Sequence, residues 1–295
     1  MKFLFKSLFL IALIILFSSN LSAQILFKVE KTGSDKTGYI LGTHHFAPLS
    51  VIDSIKELPE ILRSIDGLYG EIDMSGMNDP ALMMSLQSKL LAPADSTLDK
   101  LLTKAELDSV RVVWDKYSGG MVPFDMLTRM KPSVIATQLA SLMVMKDLPE
   151  LNPLEGIDIT MQTRARELGK PVYGFETIEM QMDLLYGEPI AEQARALMKA
   201  VRDPEKQMEL VKKLNSAYLN RDLDKILRLM TEEEGNNPET YEQMIFNRNE
   251  NWMDSLAEIL PNQSILAVVG AGHLPGPRGL IQLLRNAGYT VTPIM

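Results

Sequence analysis

The chain has three histidines among its 295 residues, and all of them fall in two segments of the form Gly-x-x-His. Gly42-Thr43-His44-His45 stands near the start and Gly270-Ala271-Gly272-His273 near the end, each directly after an apolar run. The shared grammar is a strand that ends, a glycine that lets the backbone turn closely, and an imidazole presented at the strand's carboxyl end. In open α/β sheets that end is where ligands bind. Imidazole is the side chain suited to proton transfer near neutral pH and to holding a transition-metal ion. One histidine beside an apolar run reads as a hydrogen-bonded residue at the edge of a core. Two in the same grammar, with no histidine elsewhere, predict a shared functional site.

Two carboxylates sit at comparable places, Glu71 after Gly67-Leu68-Tyr69-Gly70 and Glu176 after Val172-Tyr173-Gly174-Phe175. Taken singly, either glutamate reads equally well as a surface or capping residue. Together with two imidazoles they suit zinc, manganese, iron or cobalt with a position left open for water. Such an ion would lower the pKa of that water and polarise a carbonyl, and a spare glutamate would serve as general base. The expected metal ligands are therefore His45, His273 and Glu71, and the expected catalytic groups Glu71, Glu176 and Arg248. Which glutamate is the base stays open at this stage. Adjacent residues on an extended segment point opposite ways, so only one of His44 and His45 faces the site. His45 is preferred because it keeps the register from Gly42 that His273 keeps from Gly270. His44 is then a supporting or structural residue. Arg248, in Phe246-Asn247-Arg248-Asn249, would orient a carboxylate or stabilise an oxyanion, or else is an ordinary surface arginine. Asp158 and Asp73 are weaker candidates, and Asp158 also reads as a carboxylate near its helix's N-terminal dipole.

Several chemistries are excluded. With no cysteine there is no disulfide, thiol nucleophile or thiolate-held zinc. No Gly-x-Ser-x-Gly elbow, His-Glu-x-x-His helix, P-loop or Gly-x-Gly-x-x-Gly occurs.

The elements that would position these groups follow from periodicity. Ile25 to Glu30 and Thr37 to Leu41 read as a hairpin around Thr32-Gly33-Ser34-Asp35-Lys36. Val51 to Ile65 has helical spacing, and Gly67 to Ile72 reads as a strand, which suggests a βαβ unit. Residues from Pro80 to about Met145 read as helical, with starts at Ser96-Thr97-Leu98 and Thr103-Lys104-Ala105-Glu106. A further helix over Asp158 to Leu168 closes at Gly169, and Lys170 to Glu176 forms a strand. Ala191 to Met230 is helical with a break near Asp203-Pro204, Glu232 to Pro238 is a loop, and Tyr241 to Leu260 is a helix. Ser264 to Val269 is a buried strand, Leu280 to Asn286 a helix, and Tyr289 to Ile294 a last strand. The 19 methionines read mainly as adaptable core filler, with an apolar peptide groove as the alternative. The predicted fold is α/β, a mixed sheet assembled from the two ends of the chain with a large helical cap over roughly 80–150 and 190–255.

Residues 1–23 read as a secretory signal peptide: Lys2 and Lys6, the apolar run Leu8 to Phe17, then small polar residues up to Ala23. The run is shorter than the roughly 20 residues of a spanning helix, with a retained anchor as the alternative. One domain, 24–295, would remain, periplasmic or secreted, with no transmembrane segment. Removing two lysines and no acids moves the formal charge from −8 to −10. An acidic protein is not expected to partner nucleic acid or an anionic membrane.

The ordered segments Tyr39-Ile40-Leu41-Gly42-Thr43-His44-His45, Gly70-Glu71-Ile72-Asp73, Gly156-Ile157-Asp158, Gly169 to Thr177, Asn247-Arg248-Asn249 with Trp252-Met253, and Val268 to Leu274 resemble the TraB/GumN (TraB/PrgY/GumN) family, which includes the domain of the Tiki proteases. The resemblance implies a core related to erythromycin-esterase-like and ChaN-like folds, with the paired Gly-x-x-His segments at the active site. Tiki relatives are metal-dependent proteases that use manganese or cobalt on extracellular peptides. It maps His45 and His273 onto the family's two histidines, and Glu71 and Glu176 onto its acidic positions. His44 is an addition to the pattern. The expectation is an exported metal-dependent hydrolase, peptidase-like, using manganese, cobalt or zinc on a peptide or another small extracytoplasmic substrate. The competing expectation is a non-catalytic envelope protein that sequesters a peptide or a haem-like ligand.

Overall fold

The computed structural model describes residues 24–149, 151, 156–232 and 238–295. The expected signal peptide lies outside the described residues, as does most of the loop expected between Glu232 and Pro238. Six strands form one sheet: β1 (Leu26–Glu30), β2 (Thr37–Thr43), β3 (Gly67–Gly70), β4 (Val172–Gly174), β5 (Ile265–Gly270) and β6 (Thr290–Pro293). Their order is β4-β3-β5-β2-β1-β6. The first four in that order run parallel, while β1 lies antiparallel to both β2 and β6. The sheet is thus mixed and built from both ends of the chain, as the apolar runs predict. In β5, Ile265 to Val269 are all buried, which is why this strand reads as a continuous apolar run rather than an alternation. It separates β2 from β3, so the βαβ unit between them leaves room for a strand from the far end of the chain.

The N-terminal hairpin turns at Gly33 with φ +86°, a conformation natural to glycine. Gly42 has a different reason: a Cβ there would stand 2.7 Å from Leu274 Cδ1 and 3.2 Å from the Ala271 Cα. Its missing side chain lets the two Gly-x-x-His segments come together.

The helix expected over Val51 to Ile65 is two short ones, Ser50–Asp53 and Leu58–Ser64. Pro59 explains the break, since it has no N–H and its ring clashes with a preceding helical carbonyl, which suits only a first turn. The start at Thr103 is a full capping box with Glu106, and Asp203 caps the helix Pro204–Leu219 through the Lys206 N–H at 3.0 Å. The last long helix is also altered. Glu242–Phe246 form a π-helical turn, and regular α-helix runs over Asn247–Ile259.

Buried apolar residues form two clusters. One surrounds the sheet and the helices packed on it, and includes Phe27, Leu41, Ile65, Trp252, Val268 and Leu284. The other is helical, gathered around Trp114, Phe124, Leu139, Val144 and Leu197. The second expected cap segment is divided between them. Leu197 to Met208 belong with the helical cluster, whereas Ala217, Tyr218, Leu223 and Ile226 pack with the sheet. Core filling accounts for Met143, Met161, Met198 and Met208, but Met77, Met84, Met121, Met126, Met145 and Met180 are exposed. Among the described residues no helix is long and apolar enough to cross a membrane.

Candidate active site

The four parallel strands end side by side, with Thr43 opposite Gly270, and Gly70 opposite both Val268 and Gly174. Glu71 follows β3, Glu176 follows β4, His273 follows β5, and His44-His45 follow β2. The strand ends are tied by the Glu176 N–H donating to the Glu71 carbonyl at 2.9 Å. All the groups singled out by strand-end grammar therefore emerge along one edge of the sheet.

Three of them meet directly through Arg248. Its Nε donates to Glu176 Oε1 at 2.7 Å, and its Nη2 to Glu176 Oε2 at 2.9 Å and Glu71 Oε2 at 2.5 Å. Nη1 donates to the Met244 carbonyl at 3.0 Å and to His273 Nε2 at 3.2 Å. A guanidinium carries five N–H groups, so all five are engaged. The sequence left Arg248 free to orient a substrate; in the structure it is buried and organises the site's own carboxylates. The π-helical turn contributes by aiming the Met244 carbonyl at Nη1. Trp252, one turn beyond Arg248, lies under the guanidinium at 4.8 Å and donates its indole N–H to Glu176 Oε1 at 2.9 Å.

The tautomer of His273 follows from its neighbours. The Asn249 Nδ2 donates to the His273 carbonyl at 3.1 Å and to the Arg278 carbonyl at 2.8 Å, which fixes the amide with Oδ1 facing the ring. That oxygen is 2.6 Å from Nδ1, so Nδ1 carries the proton and Nε2 is left as an acceptor. Burial pushes the His273 pKa down to about 4, with the Arg248 charge adding to the fall and Glu71 opposing it. The ring is thus a neutral imidazole at pH 7, and its Nε2 faces Glu71 Oε1 at 3.7 Å.

For Glu71, burial alone would raise the pKa. The positive charge that His273 acquires in acid, the Arg248 charge, and the hydrogen bonds from the Gly270 N–H and Arg248 outweigh it and bring the carboxyl down to about 2. The Gly270 N–H donates to Oε1 at 2.9 Å and Gln181 Nε2 to Oε2 at 3.0 Å. Glu71 is therefore ionised at neutral pH, with donors on both oxygens.

The β2 end has separate chemistry. His44 is packed on Tyr218 with ring centroids 5.5 Å apart, its Nδ1 accepts the Phe46 N–H at 3.1 Å, and burial lowers its pKa to about 4. The His45 ring is 78% exposed, with Nδ1 3.6 Å from Asp158 Oδ2. The Asp158 carboxylate beside it raises the His45 pKa to about 9 against the cost of desolvation, and Glu71 adds a smaller pull. Asp158 is held by the buried Thr43 hydroxyl, which donates to Oδ1 at 2.8 Å; its Oδ2 is buried without a hydrogen bond. Asp73 stands apart, capping a short turn through the Ser75 N–H and paired with Arg166.

The donor set was compared with what a divalent ion requires. Among the described residues, no three His, Asp or Glu side chains are grouped closely enough to hold an ion by themselves. The nearest approach to such a set is the pair His273 and Glu71, in which a neutral imidazole with an unprotonated Nε2 faces an ionised carboxylate at 3.7 Å. Two ligands about 2.1 Å from a tetrahedral ion lie roughly 3.4 Å apart. The Asn249 bond to Nδ1 is also the kind of support that ligating histidines receive. An ion at this pair would have to displace the Arg248 N–H that Nε2 accepts.

A model of the TraB/PrgY/gumN family matches residues 25–293, nearly all of the chain after its first 24 residues. The chain belongs to the TraB/PrgY/gumN family. Neither the curated proteins nor the solved structures contain a significant match. The family assignment agrees with the resemblance carried by the two Gly-x-x-His segments and their carboxylate partners.

Sequence reasoning missed three contributors in this TraB/PrgY/gumN chain. Asn249 and Trp252 lay inside a segment that was singled out, and their spacing from Arg248, one and four residues along a helix, was the available signal. Gln181 gave no signal, because it is one of several polar residues on the helix Ile178–Tyr186 and meets Glu71 from 110 residues away.

Proposed function

We propose that the protein is an exported metal-dependent hydrolase acting on peptide bonds. The observation that carries the reading is the buried set in which the unprotonated Nε2 of His273 faces the ionised Glu71 carboxylate, with Arg248 and Glu176 holding both in place. His273 and Glu71 would hold a divalent ion, with manganese, cobalt or zinc as the candidates. When bound, the ion supplies a polarised carbonyl and an activated water. Asn249 keeps the His273 proton on Nδ1, and Gln181 and the Gly270 N–H hold Glu71 in its ionised form. Glu176 anchors the Arg248 fork. His45, held protonated at neutral pH by Asp158 and exposed on the adjacent strand end, would donate a proton to a departing amine in place of the metal-ligand role expected of it. Export is supported by the basic and apolar start of the sequence.

The test is metal content of natively purified protein together with cleavage of a mixed peptide library with added Mn²⁺. Metal and cleavage are both expected in the wild type and lost in Glu71→Gln and His273→Ala. Unchanged cleavage in excess chelator, or unchanged metal content in both variants, overturns the reading.

A further inference from the structure

A cavity of about 1150 Å³ opens beside the catalytic network, between the helices Ile178–Tyr186 and Ile190–Arg202 on one side and the segment from Glu239 to Asn251 on the other. It exceeds the roughly 300–1,000 Å³ of small-molecule sites. Gln243, Asn247 and Asn251 line it at intervals of four residues, so one stripe of the helical segment presents a row of carboxamides. Gln243 and Asn251 are exposed and make no hydrogen bond among the described residues, while Asn247 accepts from Arg278 Nη2 through Oδ1 at 3.3 Å, which leaves its Nδ2 hydrogens for the cavity. Arg248, next in sequence to Asn247, also lines the cavity while its guanidinium holds Glu71 and Glu176.

Asn247 and Asn251 stand four residues apart on regular α-helix, an advance of roughly 6 Å, while Gln243 precedes them across the π-helical turn. Alternate residues of an extended polypeptide repeat every roughly 6.6 Å and expose one N–H and one C=O per residue. A carboxamide supplies both a donor and an acceptor, so the pair Asn247 and Asn251 matches the main chain of an extended segment, and Gln243 continues the line of amides along the cavity. The apolar lining is Leu184, Pro189, Ala196 and the ring of Tyr241, interspersed with charged side chains of both signs. We infer that Gln243, Asn247 and Asn251 form a main-chain recognition ladder that holds an extended polypeptide and leads it to the Glu71–Arg248–Glu176 network. This rests on the hydrolase reading for its purpose but not for its binding chemistry.

The test uses the full chain in excess chelator, so that binding is read without turnover. The probe is a pool of fluorescein-labelled ten-residue peptides of random sequence, followed by anisotropy, beside the same pool N-methylated at alternate main-chain nitrogens. The wild type is expected to bind the plain pool at least tenfold more tightly than the methylated one, and Gln243→Ala/Asn251→Ala to weaken the plain pool about tenfold with an unchanged melting temperature. Equal binding of the two pools, an unaffected double variant, or displacement of the pool by a tetramer of N-acetylglucosamine acting through the same two amides would overturn the ladder. Binding that follows this pattern without any cleavage after Mn²⁺ is restored refutes the hydrolase reading and leaves the ladder standing.

Discussion

Arg248 Nη1 reaches His273 Nε2 at 3.2 Å, and the imidazole accepts that bond because Asn249 holds the ring's other nitrogen as an N–H. A permanent cation and a histidine in contact would repel if the ring were charged. Asn249 therefore does more than fill space, since its neutral Oδ1 selects the neutral tautomer.

Replacing Asn249 with Asp tests that selection. A carboxylate at the same place favours the imidazolium, so the His273 pKa is expected to rise from about 4 by more than one unit, read from imidazole NMR shifts across a pH titration. Asn249→Ala removes two donors from buried carbonyls and the acceptor for Nδ1, and is expected to cost roughly 2–4 kcal/mol in urea unfolding. An unmoved pKa in Asn249→Asp would show that the amide does not set the tautomer.

The Arg248 fork makes a second prediction. Arg248→Ala leaves Glu71 and Glu176 buried without their cation, and the expected loss is about 3–5 kcal/mol. Arg248→Lys restores the charge but cannot meet two carboxylates, a carbonyl and an imidazole in one plane, so it should recover less than half of that loss. Equal urea midpoints for Lys and Arg would mean that charge alone suffices.

Acid stability follows from the same groups. The folded pKa of His273 lies below its ordinary value of 6.5, so the unfolded chain binds more protons and stability falls as pH drops from 6.5 towards 4. His44 acts in the same window and direction. Glu71, lowered from 4.5 to about 2, contributes stability that is present above 4.5 and is lost as pH falls through 2. For His273 the upper bound is on the order of 3 kcal/mol, taking about 1.4 kcal/mol per pKa unit. Urea midpoints measured from pH 7 to pH 4 should decline steadily, and His273→Gln should flatten the decline without abolishing it, because His44 remains.

Much of this arrangement was readable from the chain because strand ends have a local signature. Apolar runs closing in Gly-x-x-His or in a glutamate identified β2, β3, β4 and β5, and the sheet brought their ends to one edge as the two-ended assembly requires. Backbone alternation said that only one of His44 and His45 would face the site, and the two rings have different surroundings: His44 is packed on Tyr218, whereas His45 is exposed beside Asp158. What escaped detection depends on distant partners. Nothing near Gln181 announces that its amide meets Glu71, and the apolar spacing of Val51 to Ile65 concealed the break that Pro59 imposes. The full set of Arg248 partners was hidden for the same reason: the five acceptors of its five N–H groups come from four separate elements.

The pair His45 and Asp158 gives the last prediction. Asp158 is the largest cause of the raised His45 pKa, near 9, and its Oδ2 has no hydrogen-bond donor other than what His45 can bring at 3.6 Å. Asp158→Asn keeps the shape and the bond to Thr43 while removing the charge, so the His45 pKa should fall to near or below 6.5. His44 should stay low, since its shift comes first from burial, and with His45 78% exposed the melting temperature should change little. If His45 is the proton donor to the leaving group, the alkaline limb of the pH–rate profile moves to lower pH by the same interval as the NMR titration. A limb that stays in place while the NMR pKa moves would remove His45 from that role and leave it as a bystander at the edge of the site.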